Sequence, residues 1–211
     1  MNRKYLLDSL DGFKGLVFRL LPPHVAGSVA CVPMTTDAPW TDADKTAFEK
    51  AIGIPRERTH WMPGGFANVP PASDKVARSR WVQAVAALSE PCHFLDPDTG
   101  FYDRLTNGSE KMVLVTELET ILRSRDALIV YRHQYWPQVG QDGIPANVYP
   151  YVWHGLRMLK GAGLCAFAYQ SRAASLFFIS RQPSGLLSLE RGLRTAMLGM
   201  SPNIVNRRLV V

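Results

Sequence analysis

The stretch HFLDPDTGFYDR, residues 93–104, ends a short apolar run in two carboxylates and a turn. Pro97 has a fixed φ and biases Asp96 towards an extended backbone, so that a strand can run up to this point. The residues that follow, Asp98, Thr99 and Gly100, are typical of a turn. The stretch therefore predicts a buried β-strand whose carboxyl end carries Asp96 and Asp98.

Helices and strands alternate on both sides of this strand. Before it come an amphipathic helix, with Asp11 and Lys14 expected on its solvent side, and the apolar strand SVACVPM, 28–34. After it come a helix through ELETILRS, 117–124, and the apolar strand ALIVYRH, 127–133. Alternation at this spacing indicates crossover connections between parallel strands.

The last third of the chain has a different pattern. In LCAFAYQSRAASLFFIS, 164–180, two apolar runs flank a short polar turn, which predicts an antiparallel hairpin. A helix follows at LSLERGLRTAML, 187–198. We therefore predict an α/β fold in three layers, Rossmann-like, with a mostly parallel sheet and a C-terminal antiparallel hairpin. The length of 211 residues favours one domain, 1–211.

Composition narrows the class of protein. Hydrophobic residues make up 46% and charged residues 20%, as in soluble globular domains and unlike disordered chains. Asp8, Asp11 and Lys14 interrupt the first apolar run, which excludes a signal peptide or membrane span there. The three cysteines lie far apart without a CxxC pair. We expect a cytoplasmic protein with reduced thiols and no membrane partner.

Polar groups follow three of the predicted parallel strands, where ligands bind in open α/β sheets. They are Thr35, Thr36 and Asp37; Asp96, Asp98 and Thr99; and Tyr131, His133 and Gln134. Two neighbouring carboxylates can hold Mg²⁺ or Mn²⁺, or one can act as a base, but Asp98 can equally bond the backbone of its own turn. His133 can bind metal or move a proton, or simply bond a backbone carbonyl.

The formal charge of +6 is concentrated near the end of the chain. From residue 151 onwards the chain has eight Lys and Arg and one acidic residue, Glu190, whereas residues 1–150 have 16 basic and 17 acidic residues. This asymmetry indicates a nucleic-acid partner, and a solvated basic surface accounts for it equally well. The candidate nucleic-acid-binding residues are Arg191, Arg194, Arg207 and Arg208.

Several familiar catalytic motifs are missing from the sequence. No P-loop, GxGxxG, HExxH or GxSxG pattern occurs. The run DPDTG has Gly100 where the DxDxT motif of haloacid-dehalogenase-like phosphatases has its threonine, so that interpretation fails.

The segments FLDPDTGF, ELETILRSRDALIVYRHQ and LFFISR resemble a group of uncharacterised bacterial and phage-associated proteins, in which FLDPD is followed by Thr or Asn and then Gly. KYLLDSLDGFKG and VPMTTDAPWT look similar to the same group, so the likeness covers most of the chain. The layout in turn resembles the class I S-adenosylmethionine-dependent methyltransferase fold. There, a DPPY-type motif ends the fourth strand, one helix leads to a fifth, and an antiparallel hairpin closes the sheet.

This resemblance implies roles for the residues at the strand ends. Asp96 would orient or deprotonate a methyl acceptor with help from Asp98 and Thr99, and Thr36 and Asp37 would contact the cofactor. Phe101 or Tyr102 would replace the aromatic residue of DPPY. The segment VACVPMTTD, 29–37, lacks the glycine signature of the methyltransferase cofactor site.

Three functions are compatible with these patterns. The first is an S-adenosylmethionine-dependent methyltransferase-like protein acting on nucleic acid. The second is a metal-dependent nuclease or phosphodiesterase, in which Asp96 and Asp98, with Asp37 or Glu117, hold Mg²⁺ or Mn²⁺ and Lys111 or His133 lies near the phosphate. The third is a non-catalytic binding protein on a degenerate methyltransferase-like scaffold.

Overall fold

A computed structural model of the chain describes residues 6–7, 9–21, 23–35, 40–62, 70, 74–103, 112–133, 143–144, 148–170, 174–198 and 208–210. Every helix within these ranges falls short of the length and apolar character that a bilayer crossing requires.

The described residues form eight strands. In chain order they are β1 Val29–Pro33, β2 Cys92–Asp96, β3 Gly100–Tyr102, β4 Met112–Leu114, β5 Ala127–His133, β6 Cys165–Gln170, β7 Ala174–Ser180 and β8 Arg208–Val210. Six of them make one sheet in the order β1-β2-β5-β7-β6-β8, and β3 pairs with β4 in a small parallel sheet of its own.

The direction of the strands follows the predicted pattern. Strands β1, β2 and β5 are parallel neighbours, and the hairpin of β6 and β7 places β7 antiparallel between β5 and β6. Strand β8 pairs antiparallel with β6, so four of the six strands, β1, β2, β5 and β6, point the same way. The predicted α/β class with a mostly parallel sheet and a C-terminal antiparallel hairpin is confirmed.

Helices cover both faces of the six-stranded sheet. They are α1 Ser9–Leu20, α2 Pro23–Ala26, α3 Asp42–Ile52, α4 Lys75–Ala86, α5 Val115–Ile121, α6 Pro150–Gly161 and α7 Ser184–Leu198. Side chains of α1, α3 and α7 pack in one apolar cluster with Phe94 and Ile129. Those of α4, α5 and α6, with the small sheet, pack in a second cluster with Leu95 and Val130. Alternate residues of each strand thus face opposite layers.

Local sequence signals account for several helix ends. The hydroxyl of Thr41 caps α3 by accepting a hydrogen bond from the Asp44 amide, and the Asp44 carboxylate accepts one from the Thr41 amide, as the sequence predicts. Gly53 ends α3 in the left-handed conformation, φ 73°. Helix α4 is capped by Asp74; the expected cap, Ser73, lies outside the described residues.

The orientation of α1 differs from the sequence prediction. Asp11 and Lys14, expected on the solvent side, are buried, with 3% and 4% of their surfaces exposed. The apolar periodicity placed Phe13 and Val17 correctly in the core. Periodicity cannot show that two charged residues neutralise each other beneath the helix, and that pairing is why they lie inside.

Helices α1 and α3 cross at Gly15, where the backbones come close together. A Cβ atom at Gly15 would overlap the carbonyl oxygen of Ala51. Neither backbone can yield without moving its helix. The absence of a side chain at Gly15 therefore sets the distance between α1 and α3.

We expect Gly15→Ala to destabilise the protein by about 1–3 kcal/mol, because overpacking at this crossing forces α1 away from α3. Gly12→Ala is the matched control, since Gly12 lies in the same helix with nothing near its added Cβ. That change should stabilise the fold by about 0.5–1 kcal/mol through helix propensity. Urea denaturation of both variants measures the difference, and equal effects of the two substitutions would contradict the described crossing.

Candidate functional site

Strand β2 carries Asp96 to the carboxyl edge of the parallel part of the sheet. Pro33 of β1 is its register partner, and the Met34 amide donates to the Asp96 carbonyl at 3.3 Å. The Asp96 side chain is 1% exposed. The residue at the centre of the predicted site is therefore a fully buried carboxylate, flanked by β1 and β5.

Lys14 of α1 links two buried carboxylates. Its ammonium Nζ donates to Asp96 Oδ2 at 2.9 Å and to Asp11 Oδ1 at 3.0 Å. The second oxygen of Asp11, Oδ2, accepts from the Leu7 amide at 2.8 Å. We call Asp11, Lys14 and Asp96 the charge triad. It joins the first helix to the middle of the sheet across 82 positions of sequence.

Burial and charge act in opposition within the charge triad. Burial alone would lower the pKa of Lys14, but Asp96 and Asp11 outweigh it and raise that pKa well above the usual value. Burial raises the pKa of Asp96, and the Lys14 ammonium opposes the rise. Lys14 is therefore a permanent cation that holds the two carboxylates inside the protein.

The two oxygens of the Asp96 carboxylate differ in their hydrogen bonding. Oδ2 is bonded to Lys14, whereas Oδ1 is buried and accepts no hydrogen bond among the described residues. A buried acceptor of this kind is uncommon in native proteins because its desolvation is not offset. Chemically, Oδ1 can accept a hydrogen bond or a proton from an N–H or O–H group.

Aromatic side chains lie on the α1 side of this edge. Nζ of Lys14 lies 4.3 Å from the centre of the Tyr131 ring. The rings of Tyr131 and His133 are 6.4 Å apart, and His133 is partly exposed, nearer the surface than Tyr131. Tyr131 and His133 thus extend the surroundings of the charge triad along β5.

Asp98 and Thr99 follow Asp96 but belong to a bend that leaves this face. Both are partly exposed. After the bend, Phe101 of β3 packs in the opposite apolar cluster, with Val130 and Phe177. Asp96, by contrast, points to α1. The bend thus leads from one layer of the sheet to the other, and Asp98 and Thr99 stay candidate site residues.

The carboxylate of Glu117, a possible metal ligand in the nuclease hypothesis, instead forms an ion pair with Arg78. Arg78 donates to both its oxygens, Nε to Oε1 at 2.6 Å and Nη2 to Oε2 at 2.8 Å. Arg78 Nη2 also donates to the Met112 carbonyl, and the Leu114 amide donates to Glu117. This buried pair holds α4, β4 and α5 together. Among the described residues no three His, Cys, Asp or Glu side chains form a group that could bind a metal ion.

A second polar region lies at the same edge, on the face covered by α6. Arg132 of β5 is 8% exposed, and its guanidinium carbon lies 5.0 Å from the Phe101 ring and 5.3 Å from the Tyr102 ring. The hydroxyls of Tyr151 and Ser175 are 3.1 Å apart nearby. Arg132 was not among the site residues predicted from the sequence, although its place between Tyr131 and His133 was the available signal.

Five of the remaining predicted residues lie outside the part of the chain that the structure describes; they are Thr36, Asp37, Lys111, Gln134 and Arg207. Arg208 is described only as backbone of β8. Thr35 is buried at the end of β1.

The exposed basic residues of the last third lie on both sides of the sheet. Arg157 and Lys160 belong to α6 on one face, and Arg191 and Arg194 to α7 on the other. Arg194 also pairs with Glu190 at 2.7 Å. The two helices pack on opposite faces, so these residues do not share one basic surface.

We expect Lys14→Met to destabilise the protein by about 3–5 kcal/mol at neutral pH, because two buried carboxylates lose their counter-ion. Asp96→Asn should lower the free energy of unfolding by less, about 1–2 kcal/mol, because the Lys14 ammonium keeps its ion pair with Asp11. Urea denaturation at several pH values measures both. In Lys14→Met no ammonium opposes the rise that burial imposes on the pKa of Asp96, so protonation of Asp96 should make the loss shrink as pH falls towards 4.

Equal losses in the two variants, or no recovery of Lys14→Met in acid, would show that the charge triad does not govern this edge.

Comparison of the chain with protein-family models, with curated proteins and with solved structures found no match in any of the three.

Proposed function

We propose that the protein is an S-adenosylmethionine-dependent methyltransferase-like protein that acts on nucleic acid. The observation that carries the proposal is the buried Asp96 carboxylate at the end of β2, with Oδ1 unpartnered among the described residues. This is the strand end at which the resembled methyltransferases carry their DPPY-type motif.

The succession of elements around Asp96 supports the proposal. Strand β2 leads through β3, β4 and α5 to β5, its parallel neighbour, and the sheet then continues in the antiparallel hairpin β6–β7. The same succession of motif strand, helix, next strand and hairpin is what the resemblance to class I methyltransferases implies. A likeness of fold supports a function only together with the chemistry of a site.

In the proposed methyl transfer, Asp96 would act on the amino group that receives the methyl group. In methylation of an amino group, S-adenosylmethionine would supply the methyl group, and the acceptor nitrogen would pass one proton to Oδ1 of Asp96. Oδ1 of Asp96 would accept a hydrogen bond from that amino group and orient it. Lys14 would hold Oδ2 and keep the carboxylate ionised, acting as a positioning residue.

A second candidate function is a non-catalytic binding protein on the same scaffold. The observation in its favour is that Asp96 is almost fully buried and already paired with Lys14. A carboxylate in a buried ion pair is often structural, serving to fix α1 on the sheet. In that case the surface, and not the charge triad, would carry the function.

The nuclease alternative receives less support. A divalent cation on Asp96 would compete with the ammonium of Lys14 at 2.9 Å, and Glu117 is already bonded through both oxygens to Arg78. Both carboxylates thus have cationic partners, which weakens the case for Mg²⁺ or Mn²⁺.

We expect S-adenosylmethionine and S-adenosylhomocysteine to give binding heats in calorimetry, and transfer of a labelled methyl group to DNA or RNA. Asp96→Asn should reduce transfer at least about 100-fold, the usual effect of removing a group that handles the proton. Asp98→Asn is the matched control, and it should reduce methyl transfer less than Asp96→Asn does.

Absence of binding heat up to about 1 mM ligand would overturn the cofactor proposal, since weaker binding corresponds to less than about 4 kcal/mol. Binding of the cofactor with no methyl transfer to DNA or RNA would favour the non-catalytic function.

The two basic helices allow the nucleic-acid proposal to be tested by salt dependence. If one face binds duplex DNA, each phosphate contact contributes about 0.9 to the slope of log K against log salt. We expect one of two double variants, Arg157→Gln with Lys160→Gln or Arg191→Gln with Arg194→Gln, to flatten that slope by roughly 1.8. The other variant serves as its control. A flat slope in the parent protein, or an unchanged slope in both double variants, would show that these residues do not bind nucleic acid.

A further inference from the structure

Arg132 is a buried cation without an acidic partner among the described residues. Its surface is 8% exposed, and no described carboxylate forms an ion pair with it. The Nη1 nitrogen is buried and donates no hydrogen bond within the described part of the chain. Arg78, the other buried arginine described, differs in having both oxygens of Glu117 as acceptors.

Two glycines and two aromatic rings fix the position of this guanidinium. Gly100 adopts φ 108° and lies against the aliphatic part of Arg132, and a Cβ atom at Gly155 would come within 2.7 Å of Nη1. Phe101 and Tyr102 flank the guanidinium as cation–π partners. These contacts orient the group, but aromatic faces do not neutralise its charge as a carboxylate does.

The start of α6 adds to the positive potential here. Tyr149 precedes the helix without a side-chain cap, and the first turn contains no acidic residue. Tyr151 and Gly155 lie one turn apart on the side of α6 that packs on the sheet, and Gly155 lies against the Arg132 guanidinium. A helix amino end carries partial positive charge, so it adds to the need for an anion.

Burial lowers the pKa of Arg132, and the Tyr102 hydroxyl opposes that shift through a hydrogen bond. A cation in this position costs several kcal/mol of desolvation unless an anion compensates it. Tyr102 and Tyr149 are partly exposed, so this region lies near the surface of the described part of the chain. The hydroxyls of Tyr151 and Ser175 offer further polar contacts.

We propose that Arg132 is an anion-binding site, at which the guanidinium binds the phosphate or carboxylate group of a ligand. The planar fork of arginine matches both groups and binds them through two parallel hydrogen bonds. The site lies on the α6 face, opposite the charge triad, and does not depend on the binding of S-adenosylmethionine. It therefore goes beyond the proposed function.

The test is the thermal stability of the full chain in inorganic phosphate and in acetate, each compared with chloride at the same ionic strength. A bound anion stabilises the folded state by mass action, so Tm should rise with its concentration, by roughly 2–4 °C in the accessible range. A rise in phosphate alone indicates a phosphate ligand, and a rise in acetate alone a carboxylate ligand. No rise above chloride in either salt would overturn the proposal.

Two substitutions assign the effect to Arg132. Arg132→Met should abolish the anion-dependent rise, whereas Arg80→Met, at an exposed arginine of α4, should keep it. Arg132→Lys retains a charge without the fork and serves if the methionine variant does not fold; its affinity for the anion should fall about tenfold or more. An unchanged anion effect in either Arg132 variant would show that the anion binds elsewhere.

Discussion

The fold depends on one buried cation, Lys14. Its ammonium neutralises Asp11 on its own helix and Asp96 on the central strand, and so fixes the rotation of α1 about its axis and its height above the sheet. Gly15, the next residue, can then lie against the backbone of α3. Charge pairing and helix packing are thus set at neighbouring positions, and a change in either displaces the other.

The opposite face uses the same device with different residues. Arg78 binds Glu117 through two hydrogen bonds and ties α4 to β4 and α5. In both layers, a buried ion pair joins a helix to an element that lies far away in the sequence. Arg132 departs from this rule, since it is buried but has no described acidic partner. That difference is what sets the α6 end of β5 apart from the remainder of the core.

Much of the fold could be predicted from the sequence, because apolar periodicity and turn residues are local signals. The strands ending at Asp96 and His133, the hairpin from Cys165 to Ser180 and the cap at Thr41 are of this kind. The small β3–β4 sheet was missed, since three-residue strands carry too little pattern. Asp11 and Lys14 were placed on the wrong side of α1 because a buried ion pair depends on a partner 82 residues away, which no local pattern contains.

The position of β7 has a consequence for how the chain folds. It is inserted between β5 and β6, two strands that both precede it in the sequence, so the sheet gains this strand in its middle before β8 is added at the edge beside β6. Until β7 has been synthesised and has docked, β5 and β6 each present an open row of backbone amides and carbonyls, the kind of edge that recruits other chains. Insertion of β7 therefore competes with self-association during biosynthesis, and a chain truncated before residue 174 keeps that vulnerability permanently.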